Sequence, residues 1–123
     1  TPIKSSAASD VYKRQLMGYA ENVTAELSVR KYILSLVTAT RNSDYVKLGV
    51  SPRGSIALLK ASKAYAFVQG RGFVMPDDVK AVMPDVLAHR LMLSPKGKSA
   101  FENERKALEN IALTVKSPDA IEK

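Results

Sequence analysis

Two long stretches of this chain repeat apolar residues every three or four positions, and this period constrains the fold more than any other feature. From Ser28 to Asn42 the repeat forms one stripe, made of Val29, Tyr32, Ile33, Leu36, Val37 and Thr40. From Pro52 to about Gln69 it forms a wider face, made of Ala57, Leu58, Ala61, Ala64, Tyr65 and Val68. Gly70 suits the end of that second helix, because glycine tolerates left-handed backbone. Both stretches are therefore predicted to be amphipathic helices.

The rest of the chain indicates further short helices and no pair of strands. A third helix is predicted to open at Pro76, where the two acids that follow occupy the favoured first turn. Pro84 is expected to break this helix after about two turns, with a restart in PDVLAHRL. SPKGK is predicted to be a loop, and Ala100 to Val115 a last helix. The fold class is therefore a small all-α bundle of four or five helices.

The two ends of the chain lack this periodicity. Residues 1–15 are small and polar, and they are predicted to be a disordered tail or foreign to the fold. Within them, SSAASDVYKRQ resembles a translated sequencing adapter, in which case the natural protein continues upstream of Leu16; the alternative is an ordinary flexible tail. Residues 16–116 are predicted to form the single folded domain, and residues 117–123 a flexible C-terminus.

Composition narrows the possible chemistry. The chain has no cysteine and one histidine, His89, so neither a thiolate metal site nor a Cys/His or Ser/His/Asp catalytic set can be assembled. The sequence has no phosphate-binding loop of the P-loop type. It also has no run of about 18 apolar residues and no secretory signal, so we expect a cytoplasmic location. The net charge of +7 favours an anionic partner. The chain is therefore not expected to be an enzyme by itself.

The segment GVSPRGS places a cation where a helix normally disfavours one. Ser51 is a good N-cap, and Pro52 suits the first helical position. Arg53 then faces the positive end of the helix dipole, at a cost of about 0.3–1 kcal/mol. A phosphate bound at the free N–H groups would make this placement favourable. Alternatively, Arg53 points to solvent or pairs with Asp77, Asp78 or Asp85.

The region Tyr32 to Leu91, about half of the chain, resembles the C-terminal lid of MoxR-type AAA+ ATPases, to which the ATPase subunits of magnesium chelatase are related. The matching positions are Tyr32–Ile33, Ala39–Thr40–Arg41, Leu48 to Arg53, Gly70–Arg71, Val74, Pro76, Asp78–Val79, Pro84, Val86–Leu87 and His89–Arg90. Val50 departs from the pattern, which more often has alanine there. The resemblance identifies residues 16–116 as an AAA+ lid.

The resemblance implies a larger ATPase. Its α/β core would carry the Walker motifs and bind most of the ATP and Mg²⁺, and the lid would add the sensor 2 arginine. That arginine is Arg53 here, with Ser51 and Pro52 beside the nucleotide. The parent protein would form a ring, a hexamer, and work with a protein carrying a von Willebrand factor A domain, in chaperone-like maturation or metal insertion.

The other matching cations are expected to be structural. Arg41 and Arg71 suit capping of a helix C-terminus or surface pairing. His89 and Arg90 follow an apolar patch and suit packing or the interface between lid and core.

Two other functions remain open at this stage. One is a helical module that binds nucleic acid, although lysine and arginine are spread over every segment with acids between them. The other is an interaction domain without a nucleotide, for instance a histone-fold-like fragment around FVMPDDVKAVMPDVL.

Overall fold

A computed structural model of the chain describes residues 19–20 and 22–118. Over these residues the chain is mostly helical, which confirms the predicted all-α class of fold. The elements in chain order are α1 (Leu27–Asn42), β1 (Val46–Leu48), α2 (Pro52–Val68), α3 (Pro76–Leu87), a 3-10 turn (Ala88–Arg90), β2 (Met92–Leu93), α4 (Pro95–Ala100) and α5 (Glu104–Thr114). The predictions for residues 1–15 lie outside the described residues, as do those for residues 119–123.

The first helix follows its predicted stripe. All six stripe residues of α1 are buried, and Leu36 and Val29 are fully enclosed. They meet Leu58 of α2, Met83 of α3 and Leu108 of α5 in one core. Burial of each large side chain stabilises the fold by about 1.5–3 kcal/mol before entropy is subtracted.

The buried face of α2 agrees with the predicted one in part: Leu58 is buried, and Ala57, Ala61 and Ala64 are half-buried. Its fully buried residues recur every fourth position and are Gly54, Leu58, Ser62 and Ala66, whereas Tyr65 and Val68 are exposed. The small side chains allow close approach to α3, which is the main partner of α2. Ser62 is tolerated in this line because its hydroxyl donates to the Leu58 carbonyl, at 2.7 Å. Gly70 directly follows the C-cap of α2 and lies in the left-handed region, with φ of 86°, as predicted.

The predicted break at Pro84 is wrong. Helix α3 continues through Pro84 to Leu87, and the predicted restart is the end of α3 followed by the 3-10 turn. Proline removes one helical hydrogen bond, but Pro84 is buried with Met83 and Leu87 in the core. The Ala88 N–H donates to the Pro84 carbonyl and so closes the next turn.

The expectation of no strand pair is also wrong. Strands β1 and β2 form a small antiparallel sheet in which Val46 faces Leu93 and Leu48 faces Met92. Strands of two and three residues are too short to show an alternating pattern, and they pair across the whole of α2 and α3. The sheet fixes the segment before α2 beside the segment after α3.

The predicted loop at SPKGK is helix α4. The Ser94 hydroxyl accepts a hydrogen bond from the Gly97 N–H, at 3.1 Å, and so caps the helix. Gly97 is required because a Cβ there would lie 2.0 Å from the Tyr45 carbonyl oxygen. The last helix, α5, begins at Glu104, later than predicted, because the Asn103 side chain caps it by accepting from the Lys106 N–H.

Candidate functional site

The turn that precedes α2 is fixed through both backbone groups of Val50. Its N–H donates to the Thr40 hydroxyl oxygen, at 3.1 Å, and its carbonyl accepts from Nε of Arg41, at 2.8 Å. The Thr40 hydroxyl in turn donates to the Val37 carbonyl, at 2.6 Å. Val50 is fully buried. The end of α1 therefore sets the position of the residues that follow Val50.

Two glycines let this turn approach its neighbours. A Cβ at Gly49 would lie 2.7 Å from Cα of Arg41, and a Cβ at Gly54 would lie 2.1 Å from Cγ1 of Val50. Side chains larger than hydrogen would force the backbone apart at both positions. Gly49 therefore lets the turn lie against the end of α1, and Gly54 lets the first turn of α2 lie against the Val50 side chain.

The start of α2 has the predicted layout with one difference. Ser51 is the N-cap, with extended backbone, and Pro52 is the first helical residue. The Ser51 side chain makes no capping hydrogen bond; its carbonyl instead accepts from the Gly54 N–H, at 2.8 Å. The Ser51 hydroxyl and the Arg53 N–H therefore stand at the helix end, where anions bind most readily.

Arg53 is exposed at this helix end. Two of the carboxylates considered as its partners are engaged elsewhere, since Asp78 pairs with Arg71 and Asp85 pairs with Arg105. Within residues 19–20 and 22–118, no ion pair includes Arg53. The Arg53 side chain is therefore accessible both to solvent and to a ligand or partner.

Arg90 lies at the same helix end. Its Cδ is 3.6 Å from the position that a Cβ on Gly54 would occupy, so its stem covers the first turn of α2. Arg90 as a whole is exposed to solvent. The packing role predicted for Arg90 describes its stem, which lies against Gly54, the residue that follows Arg53.

Arg71 and Arg41 have different structural roles. Arg71 pairs with Asp78, a buried carboxylate that also accepts from the Met75 N–H at 2.7 Å, so this pair anchors the start of α3. Arg41 does not cap α1 or pair on the surface as predicted, because its Nε bonds to Val50. Sequence analysis missed the function of Thr40, although a polar residue within an apolar stripe was a usable signal.

The described residues add two findings on function. Across residues 19–20 and 22–118, His, Asp and Glu side chains do not gather in threes as a metal site would need. No helix in this part of the chain has both the length and the apolarity to cross a membrane.

Comparison with known proteins shows to which class of protein this chain belongs. The sequence model of the AAA lid domain matches residues 38–111, which include Thr40, Arg41, GVSPRGS and Arg90. The chain therefore belongs to the AAA lid domain family. Its relatives are MoxR-like ATPases, so it is a lid domain of that group.

Three similar proteins illustrate the match. Uncharacterized protein YeaC of Bacillus subtilis is 44% identical over 98 residues, which cover 80% of this chain and 31% of YeaC. Protein MoxR of Paracoccus denitrificans is 38% identical over 104 residues, which cover 74% of this chain and 30% of that protein. A crystal structure from Cytophaga hutchinsonii, provisionally described as an ATPase, superposes with a TM-score of 0.74 at 32% identity and covers 83% of this chain and 34% of its own. The chain thus spans about a third of the length of these relatives.

Proposed function

We propose that this chain is the lid of a longer AAA+ ATPase and that Arg53 is its sensor 2 residue, which contacts the γ-phosphate of ATP. The observation that carries the proposal is the exposed Arg53 guanidinium at the first turn of α2, on a backbone held by Thr40 and Arg41. The α/β core with the Walker motifs would belong to the part of the protein outside this chain, which spans about a third of its relatives.

The residues at the start of α2 fit a polyphosphate. The guanidinium offers a planar fork of donors, which matches phosphate oxygens better than an ammonium does. The Arg53 N–H and the Ser51 hydroxyl add donors at the positive end of the helix. Pro52 has no N–H, so it leaves Arg53 as the first backbone donor of α2. ATP with Mg²⁺ would supply the phosphoanhydride bond that is hydrolysed and the negatively charged phosphate that Arg53 contacts.

The attachment of α2 suits a lid that moves as one body. Thr40 and Arg41 hold Val50, three residues before Arg53, to the end of α1, and the stem of Arg90 lies against Gly54, the residue after Arg53. A force on the Arg53 guanidinium is therefore passed to three helices. Loss of the γ-phosphate would release that force and let the lid tilt.

Assembly and biological role rest on the resemblance to MoxR-type ATPases. We expect the parent protein to form a hexameric ring, to act in the cytoplasm and to work with a protein carrying a von Willebrand factor A domain. Its work would be chaperone-like maturation or metal insertion. Residues 16–116 would be the lid in this protein.

The test is the turnover of ATP by the complete ATPase. Arg53→Ala is expected to lower turnover by on the order of 10–1000-fold, because a donor that stabilises charge on the transferred phosphoryl group is lost. Arg105→Ala is the matched control, since it removes an exposed arginine whose carboxylate partner is Asp85. Turnover equal to wild type in the Arg53→Ala protein would refute the assignment.

A further inference from the structure

Helices α1 and α2 leave an open apolar groove between them. It has a volume of about 150 Å³ and is lined by Arg30, Ile33, Leu34, Ser55, Ile56 and Leu59. Leu34 and Ile56, one from each helix, form its rims and are both 57% exposed. Ile33 is buried and Leu59 is half-buried, so these two side chains form the floor. This α1–α2 groove therefore gathers exposed apolar surface from two helices in one place.

The α1–α2 groove lies beside the proposed phosphate contact. Ile56 comes three residues after Arg53 in α2, so the two residues share one face of the helix, with Cβ atoms about 5–6 Å apart. A surface that holds a phosphate against Arg53 must therefore also come close to Ile56. In the proposed function, that surface belongs to the α/β core that carries the nucleotide.

The charges at the groove favour this core over a second copy of the chain as the occupant. Arg30 lines the groove and Arg53 adjoins Ile56, and within residues 19–20 and 22–118 the three ion pairs include neither arginine. The whole chain has a net charge of +7. Two copies joined groove to groove would bring these cations together where water is excluded, which strengthens their repulsion. A core that carries the phosphates of ATP brings the opposite charge.

We propose that the α1–α2 groove is the surface of the lid on which the nucleotide-bearing α/β core closes, an inference that rests on the function proposed for Arg53. The core covers Leu34 and Ile56 while its bound ATP reaches Arg53. Burial of these apolar side chains stabilises the closed lid in every nucleotide state. The γ-phosphate adds a contact that only ATP can make, so ATP shifts the lid further toward closure than ADP does.

Thiol labelling of the complete ATPase tests whether the groove is covered. Leu34→Cys and Ile56→Cys each place a thiol on one rim of the groove. Asn110→Cys is the control, because Asn110 is exposed on α5, which packs mainly against α3. Peptide mass spectrometry measures the rate at which a maleimide reacts at each position, in the native protein and in urea. The rate in urea divided by the native rate is the protection of that thiol.

The two rim thiols are expected to be more protected than the control. With Mg²⁺ and a slowly hydrolysed ATP analogue, the Leu34→Cys and Ile56→Cys thiols should be protected by on the order of 10-fold more than the Asn110→Cys thiol, as for a groove that is covered in most molecules. ADP should give less protection than the analogue. Protection no greater than that of Asn110→Cys with either nucleotide would overturn the proposal. A thermal melt of each variant verifies that it is folded.

A photoreactive crosslink identifies what covers the groove. Lys60 is exposed one turn beyond Ile56 on α2, so Lys60→Cys can carry a benzophenone maleimide beside the groove in the complete ATPase. The crosslinked peptide is expected to come from the α/β core. A crosslink to the groove of a second lid would overturn the core as the occupant.

The turnover of Arg53→Ala, measured in parallel, separates this proposal from the one on which it rests. Protected rim thiols together with lowered turnover support both. Unprotected rim thiols with lowered turnover overturn the groove as the closing surface and keep the role of Arg53. Protected rim thiols with wild-type turnover overturn the role of Arg53 and keep the groove as the closing surface. Unprotected thiols with wild-type turnover overturn both.

Discussion

At the scale of single residues, Thr40 joins α1 to the start of α2 through one hydroxyl. It donates to the Val37 carbonyl and accepts from the N–H of buried Val50. The Val50 N–H has no access to water, so the Thr40 oxygen is what satisfies it. Thr40 is thus a positioning residue for Arg53, since it holds the backbone three residues earlier.

Thr40→Val is expected to lower the free energy of unfolding by about 1–3 kcal/mol, because it leaves the Val50 N–H buried without a partner. Denaturant unfolding of the chain measures this. Thr114→Val is the matched control, because the Thr114 hydroxyl bonds to the Ile111 carbonyl of its own helix and the residue is exposed. Equal stability of Thr40→Val and wild type would contradict the role given to Thr40.

Tyr32 is a second residue whose environment makes a prediction. Burial, with a smaller contribution from the charge of Asp77, raises the pKa of the Tyr32 hydroxyl. That hydroxyl has no hydrogen-bond partner in the described part of the chain. Because the folded pKa lies above the unfolded value, the contribution of Tyr32 to stability is complete below the unfolded pKa. It is lost as the pH rises through the folded pKa.

Tyr32→Phe is therefore expected to fold at least as stably as wild type at neutral pH, because it removes a buried polar group without a partner. Above pH of about 10, wild type should lose stability relative to Tyr32→Phe. Unfolding curves of both proteins between neutral and alkaline pH measure the difference. A difference that does not change with pH would show that the Tyr32 hydroxyl is not held neutral by the fold.

At the scale of elements, sequence predicts what local pattern determines. The α1 stripe was correct because all its members face one core. The α2 face is predicted only in part, because Gly54 and Ser62, which are buried, carry no apolar signal. The continuation of α3 through Pro84 could not be predicted, because its burial in the core depends on other helices. The two short strands could not be predicted either, because the whole of α2 and α3 lies between them.

The candidate site also has parts that local sequence predicts and parts that it does not. Ser51, Pro52 and the placement of Arg53 follow from the local pattern of a helix start. The hydrogen bonds from Thr40 and Arg41 to Val50, and the approach of Arg90 to Gly54, join separate elements. No single stretch of sequence could show them.

The start of α3 offers a test at this scale. Asp78→Ala removes a buried carboxylate that binds Arg71 and the Met75 N–H, and it is expected to destabilise the fold by about 3 kcal/mol. Asp85 lies in the same helix as Asp78. Asp85→Ala breaks its exposed pair with Arg105 of α5 and should lower the free energy of unfolding by less than about 1 kcal/mol. Denaturant unfolding compares them. Similar small losses for both variants would mean that the buried pair does not anchor α3.

At the scale of the whole molecule, this lid exposes several large apolar side chains. Leu48 and Met92 face each other on the small sheet and are 60% and 53% exposed, and Leu34, Ile56 and Leu113 are exposed elsewhere. Exposed apolar side chains that adjoin, as Leu48 and Met92 do, are typical of a surface that packs against another domain. In the proposed ATPase, that domain is the α/β core.

The isolated chain is therefore expected to be marginally stable or to self-associate. Light scattering coupled to size-exclusion chromatography, over a range of concentrations, measures the association, and a thermal melt measures the stability. Leu48→Ser combined with Met92→Ser should reduce association if these side chains contribute. A clean monomer with a sharp cooperative melt well above about 65 °C would contradict the expectation.

A structure of the complete ATPase with Mg²⁺ and a non-hydrolysable ATP analogue would show whether Arg53 contacts the γ-phosphate of ATP. The measured quantity is the distance between the Arg53 guanidinium nitrogens and the nearest γ-phosphate oxygen, in the same or a neighbouring subunit. We expect a distance of about 2.7–2.9 Å, the length of a charge-assisted hydrogen bond. An Arg53 that faces solvent in every subunit while the nucleotide is bound would contradict it.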